Sequence, residues 1–397
     1  MEVKTIHQDG RVTLVLKGHL DTATAKETTA EIDRQLADCG NVTEVVCDAS
    51  ELTYISSSGL RILLSLIKRY KTFRMVEVQP DIYHVLDMTG FVKIMPVEKA
   101  LRRLSIEGCD MIGKGGVGTV YRIGDDTIIK VFREGTTIDE VRTEITMAKE
   151  TFVLGMPTAI SYDIVRVGNQ LGLVYELLQA ETLSACIRKD PTNIDHYANV
   201  YASLFRQMHD IQVPQDTIIP NALEREEQAV LHISRYFDVK SIDLLLRILH
   251  SIPQCHRLLH CDLQTKNAMM QGNEPMLIDM GEVGYGHPMI DLAHSYSAMV
   301  ALTGDYEQIV GLPQSLANDA WYRMIGYYFE GEPKEVIDHR IEQVDAISCV
   351  RGFSWLSLSD SFPESLIRMC QDAFEARVTR RKDHLLRVCE TLSDWTL

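Results

Sequence analysis

The chain has 397 residues, enough for two or three domains, and 45% of them are hydrophobic against 24% charged, an ordinary balance for a chain that buries a core. A net charge of −16 and a pI near 5.3 exclude a protein whose affinity comes from neutralising nucleic-acid phosphates. No run of roughly 18 apolar residues occurs and no secretory leader pattern opens the chain, so no membrane partner is expected; nine scattered cysteines without a C-x-x-C predict reduced thiols in a cytoplasm.

Residues 1–105 alternate strand and helix signals. "RVTLVLKG" (11–18) alternates with period two, and "TATAKETTAEIDRQLAD" (22–38) has helical spacing with threonine capping its start. "VTEVVCDAS" (42–50) reads as a buried strand, "SGLRILLSLIKRYKT" (58–72) as an amphipathic helix, "FRMVEV" (73–78) as a short strand, and "DIYHVLDMTG" (81–90) as a helix closed by glycine. The fold expected here is a compact β/α domain. Just before the second helix stands "YISSSGL", where Ser57 or Ser58 can cap the first turn.

A second unit begins near Ile106. "CDMIGKGGVGTVYRIGDDTIIKVF" (109–132) alternates with period two around a glycine cluster, a helix is expected at about 138–152, and further strands run through "QLGLVYELL" (170–178). Beyond about residue 181 the pattern turns helical. The expectation is an α+β chain: a β/α domain over 1–105, then 106–397 with a β-rich N-lobe (106–178) and a helical C-lobe (179–397).

Four places in this second unit carry chemistry. Gly113, Gly115 and Gly118 have G-x-G-x-x-G-x-V spacing between strand signals, which suits a flap over phosphates better than a strand-to-helix dinucleotide turn. Lys130 ends "DTIIK" and could neutralise α- and β-phosphates, or simply reach solvent. Its carboxylate partner would be Glu144, with Glu140 one helical turn earlier as the alternative. In "LLHCDLQTKNAMM" (258–270), Asp262 can take a proton from an attacking hydroxyl and Asn267 can offer an amide oxygen to a metal ion. In "MLIDMGEVGYGHPMIDLAH" (276–294), Asp279 suits Mg2+, a hard cation that prefers oxygen ligands, and Asp291 suits a role in holding the loop backbone. Together these point to phosphoryl transfer from ATP.

On "GKGGVGTVY", Lys130, "HCDLQTKN" and "IDMG…GHPMIDLA", residues 106–397 resemble the aminoglycoside phosphotransferase and choline-kinase branch of the protein-kinase-like fold. The resemblance implies that Asp262 is the catalytic base, that Asn267 and Asp279 bind magnesium, that Lys130 contacts phosphates, and that the hinge from Glu176 to Leu178 meets adenine through its backbone. Cys261 stands where such enzymes usually carry glycine, and Gln264 and Lys266 replace the usual histidine and glycine. Asp291 follows Asp279 by twelve residues, too few for the activation segment on which protein kinases lay a peptide. A small hydroxyl-bearing acceptor is therefore favoured, held by the C-terminal helices, where Asp360 and Glu364 are either contacts for a cationic ligand or solvated surface.

Residues 1–104 resemble STAS domains, the anti-sigma-factor antagonist family, through "GHLDTATA" (18–25), "VVCDASELTYISSSGLRILL" (45–64) and "VLDMTGF" (85–91). The resemblance implies a protein partner at this surface and a regulatory phosphoserine, by position Ser57. A phosphate there would add a charge of about −2 at the positive end of a helix dipole. An alternative function follows: a partner-switching protein whose kinase-like unit phosphorylates Ser57 in cis or in trans.

Overall fold

The computed structural model describes the chain except residues 9, 41, 302–306, 308, 309, 359–361, 396 and 397. Asp360 therefore lies outside the described residues. The rest forms two compact units, residues 1–105 with 164–168, and residues 106–163 with 169–397. The mixed α and β content follows the sequence expectation.

The first unit is built on a five-stranded sheet in the order β1 (Glu2–Gln8), β2 (Arg11–Leu20), β3 (Glu44–Ile55), β4 (Arg74–Val78), β5 (Val97–Lys99). The β1–β2 pair is antiparallel and the other pairs are parallel. Parallel pairing needs crossovers, supplied by α1 (Ala25–Asp38), α2 (Ser57–Arg69) and α3 (Pro80–Met88). Val12, Leu14 and Leu16 alternate into the core, where they meet Val45, Cys47, Leu63, Met75 and Leu86. Truncating one such leucine to alanine costs about 2–5 kcal/mol.

Two helix starts differ from the sequence expectation. Thr24 precedes α1 without capping it: its hydroxyl donates to the His19 carbonyl at 2.9 Å, and Asp21 instead accepts from the Ala23 and Thr24 N–H groups at 2.9 and 3.0 Å. At α2 the cap is Ser56, not Ser57 or Ser58. Ser56 has extended backbone and its Oγ accepts from the Ser58 N–H at 3.2 Å. Gly59 explains the tight entry. A Cβ there would sit 2.8 Å from the Leu20 carbonyl oxygen, closer than side chains approach backbone.

After the short strand β6 (Arg102–Arg103), the second unit starts with β7 (Asp110–Lys114), β8 (Gly118–Arg122) and β9 (Thr127–Phe132). These pair antiparallel, and β9 also pairs antiparallel with β11 (Gln170–Glu176), which follows β10 (Ser161–Val167). Helix α4 (Ile138–Val153) begins with a reciprocal capping box between Thr137 and Glu140.

The helical lobe contains β12 (Glu181–Thr182), α5 (Leu183–Lys189), α6 (Ile194–Asp210), α7 (Ala222–His232) and α8 (Val239–His250). Four short strands follow, β13 (Arg257–Leu259), β14 (Ala268–Gln271), β15 (Glu274–Leu277) and β16 (Gly284–Gly286). They are succeeded by α9 (Pro288–Tyr296), α10 (Gln314–Tyr328), α11 (Lys334–Ser354), α12 (Glu364–Arg377) and α13 (Lys382–Cys389). The apolar stripe of α6, with Tyr201, Phe205 and Met208 buried, packs against α10, where Trp321 and Met324 are buried. That core holds β13–β16 in place, and the polar loops between these strands carry the site.

Candidate active site

Lys130 lies on β9, flanked in register by Val120 and Leu173. Its ammonium is bonded to both oxygens of Glu144, at 2.9 and 3.0 Å, and to Oδ1 of Asp279 at 2.9 Å. Burial disfavours the charged lysine, but the two carboxylates outweigh it and raise the pKa. Glu140, the alternative partner, is tied up in the capping box: its Oε2 accepts the Thr137 N–H at 2.6 Å and the Thr137 hydroxyl at 2.8 Å. Glu144 is therefore the partner of Lys130, and the Tyr175 hydroxyl donates to the same carboxylate.

Asp279 follows β15 with φ near +62°, a left-handed conformation that aspartate tolerates better than most side chains. Burial raises its pKa, yet the charge and hydrogen bond of Lys130 bring it below the usual value. Asp262 lies in the loop between β13 and β14. Asn267 binds back to it, donating through Nδ2 to the Asp262 carbonyl at 2.8 Å and to its Oδ2 at 3.1 Å. Here burial wins and the Asp262 pKa is raised, with the charges of Arg351 and His260 opposing.

Asp291, fully buried on α9, holds this loop. Its two oxygens accept the N–H groups of His260, at 2.9 Å, and Cys261, at 2.7 Å. His209 on α6 adds Nε2 at 3.2 Å, its other nitrogen meeting the Tyr328 hydroxyl at 2.8 Å. Burial works against the charge on Asp291; the bond and charge of His209 more than offset it and lower the pKa. Cys261 sits at φ +62°, where glycine has no penalty and cysteine does. His294 Nδ1, 2.6 Å from the Cys261 carbonyl, helps to hold it there. Behind it runs a buried chain: His294 Nε2 to Glu226 at 3.1 Å, then Glu226 to Arg351 at 3.4 Å. Glu226 stays far below the usual carboxylate range because His294 and Arg351 outweigh its burial.

The glycine cluster forms the β7–β8 hairpin, closed by the Gly115 N–H donating to the Gly118 carbonyl at 2.9 Å. Only Gly118 is sterically required among the three, since a Cβ there would fall 2.4 Å from the Val131 carbonyl oxygen; Gly113 and Gly115 would meet ordinary contacts. Glu176 ends β11 with its N–H on the Ile160 carbonyl and its Oε1 accepting the Ile160 N–H at 2.7 Å. Ser57 is exposed at the first position of α2, and the neighbouring Ser58 hydroxyl lies 3.1 Å from that of Thr22. Glu364 is exposed and pairs with Arg368 one turn on.

The structure thus brings Lys130, Glu144 and Asp279 into one bonded cluster, and Asp262 and Asn267 into another. Tyr175, His209, Arg225, Glu226, His294 and Arg351 carry no local sequence signal. Each is one polar residue on an otherwise ordinary strand or helix, and only the fold collects them.

A β-rich lobe carrying a lysine–glutamate pair, joined to a helical lobe with a carboxylate-bearing loop, defines the kinase-like phosphotransferases. The phosphotransferase enzyme family model matches residues 112–326, more than half of the chain, and the chain belongs to that family. A STAS domain model matches residues 2–103. Over this stretch the chain is 34% identical across 93 residues to BtrV of Bordetella bronchiseptica, named an anti-sigma factor antagonist, covering 22% of this chain and 78% of BtrV. It is 28% identical across 106 residues to the anti-sigma F factor antagonist of Paenibacillus polymyxa, covering 24% and 86%. Similar solved structures include the ADP-bound aminoglycoside phosphotransferase APH(2'')-Ib, with 15% identity and a TM-score of 0.47 over 68% of this chain and 92% of that one. A choline/ethanolamine kinase family protein from Mesorhizobium loti has 16% identity and a TM-score of 0.43 over 72% and 90%.

Proposed function

We propose that the C-terminal unit transfers the γ-phosphoryl group of ATP, with magnesium, to a hydroxyl of a small acceptor, under regulation by the STAS domain. The observation that carries this reading is the convergence of Lys130, Glu144 and Asp279 opposite a loop holding Asp262 and Asn267. Glu144 orients Lys130 toward the α- and β-phosphates, and the hinge from Glu176 to Leu178 meets adenine. Gly113, Gly115 and Gly118 shape the flap over the phosphates. Asp262 takes the hydroxyl proton as the acceptor oxygen bonds to the γ-phosphorus and the bond to the bridging oxygen of ADP breaks.

The residues present fit magnesium. Asn267 donates only through Nδ2, which leaves its amide oxygen for a hard cation, and Asp279 commits Oδ1 to Lys130. Among the described residues no group of three or more histidine, cysteine, aspartate or glutamate side chains could hold a metal by itself. Magnesium on nucleotide phosphates needs only one or two protein oxygens. It would neutralise charge that builds on the phosphates.

The test is magnesium-dependent ADP release across a panel of hydroxyl compounds. Asp262→Ala is expected to lower kcat by about 10²–10⁴-fold; undiminished turnover in that variant removes Asp262 as the base.

The second reading, phosphorylation of Ser57 in cis or in trans, is favoured by one observation: Ser56 does the capping, so Ser57 is exposed and free of that duty. Incubation with ATP and phosphosite mapping decides it. Unmodified residues 54–60 alongside a phosphorylated small molecule would remove the reading. All nine cysteines are free thiols, which supports a cytoplasmic location. No helix among the described residues is long and apolar enough to cross a membrane.

A further inference from the structure

Arg225, on α7, stands beside the catalytic loop and has no part in the transfer step above. Its Nη1 reaches Glu282, in the turn after Asp279, only at 3.7 Å. Its Nε and Nη2 are shut off from solvent and have no hydrogen-bond partner. These two nitrogens form one edge of the guanidinium, the edge that grips both oxygens of a carboxylate or phosphate in a planar fork. Leaving that edge buried and unpaired is costly, and arginines kept for architecture are bonded. The charges acting on Arg225 come from Glu282, Glu226 and Arg351, and the Cys261 thiol, adjacent to Asp262, lies within the same reach. Glu226 acts on Arg225 through charge alone: its carboxylate is bonded to His294 and Arg351, and Nε and Nη2 of Arg225 have no hydrogen bond to it.

We propose that the phosphoryl acceptor carries an oxyanion, a carboxylate or a phosphate, near its reacting hydroxyl, and that the Nε–Nη2 edge of Arg225 binds it. The inference rests on the phosphotransferase reading and names its acceptor class. The Arg225 side chain as a whole is 28% exposed while Nε and Nη2 are covered, so binding at that edge requires the side chain to swing off the loose Glu282 contact. Anchored there, the acceptor would present its hydroxyl toward Asp262, one residue from Cys261.

The test uses the full-length protein and matched alcohols: D-glycerate and glycerol 3-phosphate against glycerol, ethanolamine and choline. The oxyanion alcohols are expected to show kcat/KM at least about tenfold higher. Arg225→Gln should raise their KM about tenfold or more while the KM for ATP moves less than about twofold, and Arg225→Lys, which keeps charge but loses the fork, should fall between. A preference for neutral or cationic alcohols, or a KM for the oxyanion alcohols indifferent to both variants, overturns the proposal. Binding is read independently of turnover: D-glycerate and inorganic phosphate should raise the thermal midpoint of the MgADP-loaded protein, and Arg225→Gln or Arg225→Lys should remove or weaken that shift. No shift in the unaltered protein also overturns it. Failure of the underlying reading looks different: ADP release is absent with every alcohol while the oxyanion shift persists. Asp262-dependent turnover of glycerol or choline, unaffected at Arg225, removes the oxyanion alone.

Discussion

Cys261 and Asp262 are adjacent and do opposite work. Cys261 accepts a left-handed backbone so that Asp291 can hold its N–H and His294 its carbonyl. Cys261→Gly should therefore fold with a change within about 1 kcal/mol, because lost burial is offset by relieved strain. Cys261→Val should cost more than about 2 kcal/mol, since a β-branched side chain is poorly tolerated at positive φ. Urea titration followed by a probe in the C-terminal unit measures both, and a tolerated valine would contradict the strain assignment. In the proposed transfer Asp262 must be ionised to accept a proton, so acid is expected to remove activity. Burial raises its pKa above the ordinary 3.8, which puts the acid limb of the kcat/KM profile above that value. Arg351 opposes the rise, so Arg351→Gln should move the limb to still higher pH. An unmoved limb would show that Arg351 does not act on the base.

At the scale of elements, the entry to α2 decides what three consecutive serines do. Their side chains are chemically equal, so sequence reasoning alone could place the cap at Ser57 or Ser58. The extended backbone at Ser56 settles it, with φ −101° and ψ 177°. Ser56→Ala should destabilise the N-terminal unit by about 1 kcal/mol, whereas Ser57→Ala should be close to neutral, as read by chemical denaturation. Equal losses would contradict the capping assignment. The segments that the fold brings together at the candidate site were legible in the sequence for a physical reason. Lys130, the H-x-D-x-x-x-x-N loop and Asp279 each lie in short stretches where chemistry demands fixed spacing. Arg225, His294 and Arg351 were not, because they meet from three helices separated by scores of residues and share no local pattern. Strand β1 was missed for a different reason: it is an edge strand with Val3 buried but Ile6 60% exposed, so its period-two signal is weak.

For the molecule as a whole, cysteine chemistry offers a reading of where the cores are tight. Cys47, Cys261, Cys349, Cys370 and Cys389 are buried, and Cys39, Cys109, Cys186 and Cys255 are half-buried. Burial pushes the thiols of Cys47 and Cys261 far above their usual range, so they hold little reactive thiolate. Native-state alkylation should label members of the half-buried group first and Cys47 and Cys261 only on unfolding. Reductant should leave the thermal midpoint unchanged, because no disulfide contributes. Early labelling of Cys261 would mean that the loop carrying Asp262 opens on its own.

Gly118 has a consequence for anyone dissecting the flap by mutagenesis. Its missing Cβ lets β8 lie directly against the Val131 carbonyl, one residue from Lys130 on the same strand. An alanine there pushes two strands apart before it perturbs any phosphate contact. A Gly118 variant with weakened nucleotide affinity would thus report a displaced lysine, an architectural fault that kinetics alone would mistake for a lost ligand contact. Comparing it with Gly115→Ala, whose Cβ meets little, separates the two.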